Sequence, residues 1–168
     1  DYALVISTNA GLWRYFLGDV VRITSTYPYR IKVIGRTSSY INVAGEELMI
    51  AQAEQALTQS LSKFNLNLKE FTAAPVYSEY GNPEAHVWAI ELQVGNCFVD
   101  AKEFAEVLDL ELRLLNSDYD AKRSNDFILK IPRVEFVESG TFEAWLDSKN
   151  KLGGQHKIPR LSNTRKII

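Results

Sequence analysis

Gly18-Asp19, Gly35-Arg36 and Lys157-Ile158-Pro159-Arg160 are the places in this 168-residue chain where side-chain type and backbone setting combine toward chemistry. An Asp placed straight after a Gly at a strand end is free to point outward. Its carboxylate can accept two hydrogen bonds from vicinal hydroxyls such as those of a ribose. Gly18-Asp19 also reads as a plain turn. Gly35 lets the backbone bend ahead of Arg36, whose planar guanidinium donates bidentately to phosphate or ribose oxygens, or pairs with a surface carboxylate. In Gly153-Gly154-Gln155-His156-Lys157-Ile158-Pro159-Arg160 two glycines predict a mobile loop, and the Pro stiffens its exit. Six Lys or Arg lie from Lys149 to Lys166. Such a run is commonly a solvated tail, and its sharper reading is a loop that swings a cation onto a phosphate.

Other chemistries find less support. Two histidines, His86 and His156, are too few and too far apart for a metal site, so no metal ligands are assigned. His86 falls at an inward position of an alternating segment and reads as core packing. Cys97, in a turn beside Gly95-Asn96, reads as a free structural thiol, and no nucleophile elbow or Walker-type phosphate loop is present. A single Cys excludes an internal disulfide framework and suits a reducing compartment. A net charge of −2 creates no global field favouring nucleic acid or a membrane surface. No apolar run approaches the roughly 18 residues of a membrane span, and the expectation is a cytoplasmic protein with one core.

The elements that must position these residues fall into two patterns. Leu4–Ile6, Leu12–Phe16, Val20–Ile23 and Ile31–Ile34 read as short strands, separated by turns carrying Asn9, Gly11, Gly18-Asp19 and Pro28. They are too few to close a core alone. The chain also opens directly in a strand with no initiator Met, so it reads as a fragment of something larger.

Beyond a small polar bridge at Arg36–Ser39 the pattern changes. Tyr40–Val43 predicts a brief strand, and Ile50, Ala53, Leu57 and Leu61 a helix with one buried stripe. Phe71–Tyr77 and the alternating His86, Trp88, Ile90, Leu92 and Val94 predict an antiparallel hairpin around Tyr80-Gly81-Asn82-Pro83, with one buried face. Asp100, with Glu103 three residues on, predicts a capped helix carrying Phe104, Leu108, Leu112 and Leu115 inward. Ile131–Val137 predicts a strand, and Thr141 opens a short helix with Phe142, Trp145 and Leu146 facing inward. The class is α+β. From residue 40 to 138 the order β-α-β-β-α-β is the split βαβ, ferredoxin-like arrangement. The domain cut places residues 1–36 in one unit and 37–168 in a second.

Taken together, the chain resembles the auxin-responsive acyl-acid amido synthetase family, a branch of the adenylate-forming enzymes that also includes acyl-CoA synthetases and firefly luciferase. The strings that carry the resemblance begin with Thr8-Asn9-Ala10-Gly11-Leu12-Trp13-Arg14-Tyr15, Gly18-Asp19, Ile34-Gly35-Arg36, Asn42 and Gly45-Glu46. They continue through Asn116, Asp118-Tyr119, Lys122-Arg123, Gly140-Thr141-Phe142, Gly153-Gly154-Gln155 and Lys157-Ile158-Pro159-Arg160. The resemblance implies activation of a carboxylic acid by ATP and Mg²⁺, followed by transfer of the acyl group to an amino acid amine. It implies that residues 1–36 are the last strands of a large domain, and that a smaller C-terminal lid domain rotates about a hinge at Thr37 and Ser38. Asp19, Arg36 and Tyr15 then match nucleotide-binding positions, Lys157 the late catalytic lysine, and Gln155 and Arg160 loop contacts to phosphate. ATP and Mg²⁺ would both need the large N-terminal domain, without which this chain is expected to be inactive. One departure stands out: Glu47 occupies a position where many relatives carry a Lys, which bears on the second half-reaction.

Two other readings remain open, the first of them within the same superfamily. One is thioester formation with CoA. The other is a ferredoxin-like module that binds a nucleotide or RNA without turnover, favoured by the basic tail, Trp13 and Tyr15. No RNP-like aromatic string accompanies them, which makes nucleic acid an improbable partner.

Overall fold

The computed structural model describes residues 1–36, 40–42, 44–93, 99–124, 128–150, 153 and 157–163. The expected hinge residues Thr37 and Ser38, the turn carrying Cys97, and Gln155 lie outside the described residues.

The first 36 residues form a three-stranded antiparallel sheet in the order β1 (Tyr2–Ile6), β2 (Tyr15–Thr26), β3 (Tyr29–Arg36). Two of the expected strands, Leu12–Phe16 and Val20–Ile23, are largely one. Gly18-Asp19 is therefore not a turn but lies inside the twelve-residue β2. The reason is local: Gly18 takes φ +82°, which a residue without Cβ adopts freely, so the strand bends there and continues.

The second unit is α+β and runs through the expected β-α-β-β-α-β order, with differences in detail. Its first strand, β4 (Tyr40–Ile41), has two residues and pairs with β5 (Leu48–Met49) in a separate ribbon. Among the described residues the main sheet thus has three strands, and the first strand of the split βαβ order pairs outside it. Its order is β6 (Leu68–Tyr77), β7 (Pro83–Leu92), β8 (Arg133–Val137), with β6 and β7 antiparallel and β7 and β8 parallel. The outer edge of β6 is taken by the late chain instead of β4. Ala73 N donates to Arg160 O at 2.9 Å, and Ser162 N to Ala73 O at 3.0 Å.

Helices α1 (Ile50–Lys63) and α2 (Ala101–Leu115) cover one face of this sheet with the apolar stripes read from sequence. Ala53, Leu57 and Leu61 meet Phe104, Leu108 and Leu112 there, with Phe71, Trp88 and Ile90 from the sheet. The cap at Asp100 forms, its carboxylate accepting from Lys102 N at 2.9 Å.

Strand β7 departs from the one-sided expectation, because every residue from Ala85 to Glu91 is buried. The opposite face is covered by α4 (Thr141–Ser148) and the late chain, with Phe142 and Ile158 packing on Ala89. A strand buried on both faces loses the polar alternation that a half-exposed strand shows.

A short helix, α3 (Ser117–Arg123), was not expected. Asn116 caps it by accepting from Tyr119 N at 2.8 Å. Arg123 then forks onto both oxygens of Asp109 at 2.6 and 2.9 Å and donates to Leu129 O at 2.8 Å. The Tyr119 hydroxyl completes the set at 2.8 Å from Asp109, so this buried ion pair has its hydrogen bonds satisfied. Among the described residues no helix is long and apolar enough to cross a membrane.

Candidate functional site

The residues read as nucleotide contacts lie on the first sheet. Asp19 sits half-buried in β2, one residue past the left-handed Gly18, and pairs across the ladder with Arg36 in β3. Asp19 and Arg36 therefore occupy directly facing backbone positions in neighbouring strands. Tyr15 opens β2 opposite Ile6 and is 50% exposed. The ladder register thus brings Asp19 and Arg36 together.

Lys157 and Arg160 belong to the other sheet. The face of that sheet away from α1 and α2 carries Glu70, Thr72 and Glu91, and α4 packs over it. A cleft of about 360 Å³ opens there, lined by Lys69, Glu70, Glu91, Glu143, Lys157 and Arg160 over Phe142 and Ile158. Its charges are largely consumed internally. Lys69 Nζ lies 2.8 Å from Glu91 and 3.7 Å from Glu143. Glu91 also accepts from Gly140 N at 2.6 Å and Phe142 N at 3.3 Å, and so satisfies the N-terminus of α4. Burial pushes the Glu91 carboxyl up. Lys69 and the two N–H groups outweigh burial and hold the carboxyl below the usual range, so it is ionised at neutral pH.

Arg160 is likewise engaged. Its Nη1 bonds to Glu54 of α1, and its Nε donates to Glu70 at 3.3 Å. Lys157 differs. It is exposed, and among the described residues it has no acidic partner. Among the described residues lining this cleft, Lys69 and Arg160 are paired with carboxylates and Lys157 is not.

On its C-terminal side, the described backbone after Lys157 is anchored. Ile158 and Leu161 are buried, and Thr72 Oγ1 donates to Pro159 O at 2.7 Å. Asn163 ties the same segment to the β4 ribbon, donating to Tyr40 O at 3.1 Å and accepting from Asn42 N at 3.0 Å. Lys157 is therefore carried at the margin of a fixed segment.

A second constellation was invisible in the sequence. Glu46 is fully buried in the turn between β4 and β5, and its Oε1 lies 2.9 Å from Nε2 of the buried His86. Its Oε2 accepts from Ala44 N at 2.7 Å, and its backbone carbonyl accepts from Asn116 Nδ2 at 2.9 Å. Burial pushes Glu46 up, but the hydrogen bond and charge of His86, aided by Ala44 N–H, bring it below the usual carboxylate range. An ionised carboxylate only accepts, so His86 Nε2 carries the proton. Among the described residues its Nδ1 has no hydrogen-bond partner. This anchor fixes the turn in which Gly45 takes φ +89° and the exposed Glu47 takes φ +41°. The ammonium of Lys122 lies against Gly45: a Cβ added there would come within 3.5 Å of Nζ. Nothing local in Gly45-Glu46-Glu47 signals that the first Glu points inward and the second outward.

The fold recurs in a solved structure. It superposes on a solved GH3.15 acyl acid amido synthetase with a TM-score of 0.79 at 24% identity, over 98% of this chain and 32% of that one. The chain belongs to the GH3 family: residues 51–166 match the GH3 family C-terminal domain, and residues 1–36 match the GH3 family central domain. It is 28% identical over 169 residues to the probable indole-3-acetic acid-amido synthetase GH3.1 of Oryza sativa subsp. japonica, covering 95% of this chain and 27% of the relative. To the indole-3-acetic acid-amido synthetase GH3.6 of Arabidopsis thaliana it is 27% identical over 176 residues, covering 100% and 29%. The chain therefore spans less than a third of the length of these relatives.

Proposed function

We propose that this chain is the C-terminal portion of an ATP-dependent acyl-acid amido synthetase, which adenylates a carboxylic acid and passes the acyl group to the amine of an amino acid. The observation that carries this reading is Lys157, a lysine left without an acidic partner among the described residues, on a cleft whose neighbouring cations are neutralised. Its family membership and the amido synthetases among its relatives support the same reading.

Within it, residues 1–36 are the last strands of a large domain and residues 37–168 the lid, with the hinge at Thr37 and Ser38. The half-exposed Tyr2, Val5, Phe16, Ile31 and Val33 of the first sheet support a further apolar layer against it. ATP supplies the adenylyl group. Asp19 accepts hydrogen bonds from ribose hydroxyls, Arg36 and Tyr15 hold the nucleotide, and Lys157 places a point charge where negative charge builds on the reacting phosphate. Among the described residues no three His, Cys, Asp or Glu side chains gather as cation ligands, so no step is assigned to Mg²⁺ on this chain. With the segment after Lys157 anchored to the sheet, the lid delivers its lysine by moving as a body.

The test is product analysis by mass spectrometry of the complete protein with ATP, a panel of aryl and indolyl carboxylic acids, and either amino acids or CoA. An N-acyl amino acid and AMP are expected. A CoA thioester with no amide would overturn the assignment.

A further inference from the structure

We propose that Arg160 is a positioning residue for Lys157, a cationic clamp that sets where the lysine stands on the sheet edge and does not itself bind phosphate; this rests on the reading of Lys157 given above. The segment from Lys157 to Leu161 has little regular structure of its own. Its pairing with β6 is an isolated bridge at Ala73 and Leu161, and Pro159 has no N–H to contribute. Arg160 adds what the backbone lacks. Its guanidinium donates to Glu54 on α1 and to Glu70 on β6, two different carboxylates on two different elements. Its Cζ also lies 5.6 Å from the ring centroid of Phe71, a cation–π contact with a residue of the buried core.

The same geometry argues against direct phosphate binding. An anion at the guanidinium would compete with Glu54 at Nη1 and Glu70 at Nε, and would stand in the repulsive field of both carboxylates. Nor does the clamp act mainly through stability. The arginine and its two carboxylates are all partly exposed, and such pairs contribute little to folding. What the fork supplies is direction, because a planar guanidinium holds two acceptors and a flat ring at fixed angles, whereas a lysine ammonium is a rotating point charge. Lys157 lies three residues upstream, with only Ile158 and Pro159 between. Displacing a charge by about 1 Å from where it must meet a reacting group is enough to cost about 100-fold in rate.

The experiment compares Arg160→Ala, Arg160→Lys and the double variant Glu54→Gln/Glu70→Gln with Lys157→Ala as reference, all in the complete protein. The readout is carboxylate-dependent ATP–pyrophosphate exchange. Both Arg160 variants should lower kcat by about 10–100-fold while KM for ATP stays within about 3-fold. The double variant keeps the guanidinium and removes what holds it, and it should show the same fall in kcat. In the 168-residue chain, amide exchange at Ala73 and Ser162 should quicken about 10-fold in Arg160→Ala, with α2 unchanged. A raised KM for ATP at parental kcat in the Arg160 variants, with a parental double variant, would make Arg160 a nucleotide contact and overturn the clamp. Parental exchange in Lys157→Ala would instead remove the reading on which the clamp rests. A collapsed Lys157→Ala beside fully active Arg160 variants would remove the clamp alone.

Discussion

Replacing His86 with alanine is expected to lower the unfolding free energy at neutral pH by about 3–5 kcal/mol, the range for stripping a buried charge of its partner. Glu46 and His86 are both buried, and the bond between them spans 40 residues of sequence. Without the imidazole, Glu46 Oε1 loses its hydrogen bond to that ring, and Tyr119 loses the ring whose centroid lies 5.6 Å from its own. The pH dependence should change sign as well. In the parent, Glu46 sits below its ordinary value of 4.5. It therefore adds stability above that value, and the contribution disappears as acid carries the pH down through the folded pKa. In His86→Ala, burial acts with less opposition and raises the carboxyl. The variant should then lose stability as pH rises through the raised pKa. Urea denaturation between about pH 4 and pH 7 reads both effects. Glu46→Gln in the His86→Ala background should recover part of the loss. A His86→Ala protein as stable as the parent at both pH values would show that the pair does not anchor the turn.

Lys157→Ala is expected to reduce carboxylate-dependent adenylation by the complete protein by about 100–1000-fold in kcat, the cost of removing one preorganised charge from a transition state that gains negative charge. Structure should be untouched, since the lysine is exposed and has no acidic partner among the described residues. Lys157→Arg should recover only a fraction, because a planar fork cannot reproduce a compact ammonium at the same point. Single-turnover formation of the adenylate measures the step directly. A loss confined to KM would place Lys157 in ground-state binding instead.

Much of the second unit was legible because its helices bury one stripe each. Ile50, Ala53, Leu57 and Leu61, and Phe104, Leu108 and Leu112, recur at helical spacing, and both helices form where those stripes lie. Helix α3 was not legible, since Ser117–Arg123 offers only Tyr119 as a large apolar residue. What holds it is the Asn116 cap and the bond from Arg123 to Asp109, fourteen residues earlier, neither of which makes an apolar period. Gly18-Asp19 shows a different limit: the dipeptide suits a turn, and the pairing of β1 and β3 on either side keeps it in a strand. Lys157 is legible as one cation of a basic run, and only the family resemblance singles it out. That Arg160 is not equally available depends on Glu54 and Glu70, 106 and 90 residues away, and only tertiary structure brings them there.

On the proposed reading, this chain supplies a lysine to an adenylating site that it does not complete alone. The direct measurement is carboxylate-dependent ATP–pyrophosphate exchange by the purified 168-residue chain beside the complete protein, at equal concentration and with the same acids. Exchange by the complete protein and none by the chain is the predicted result. Exchange by the chain alone, or its absence from the complete protein with every acid, would contradict the claim.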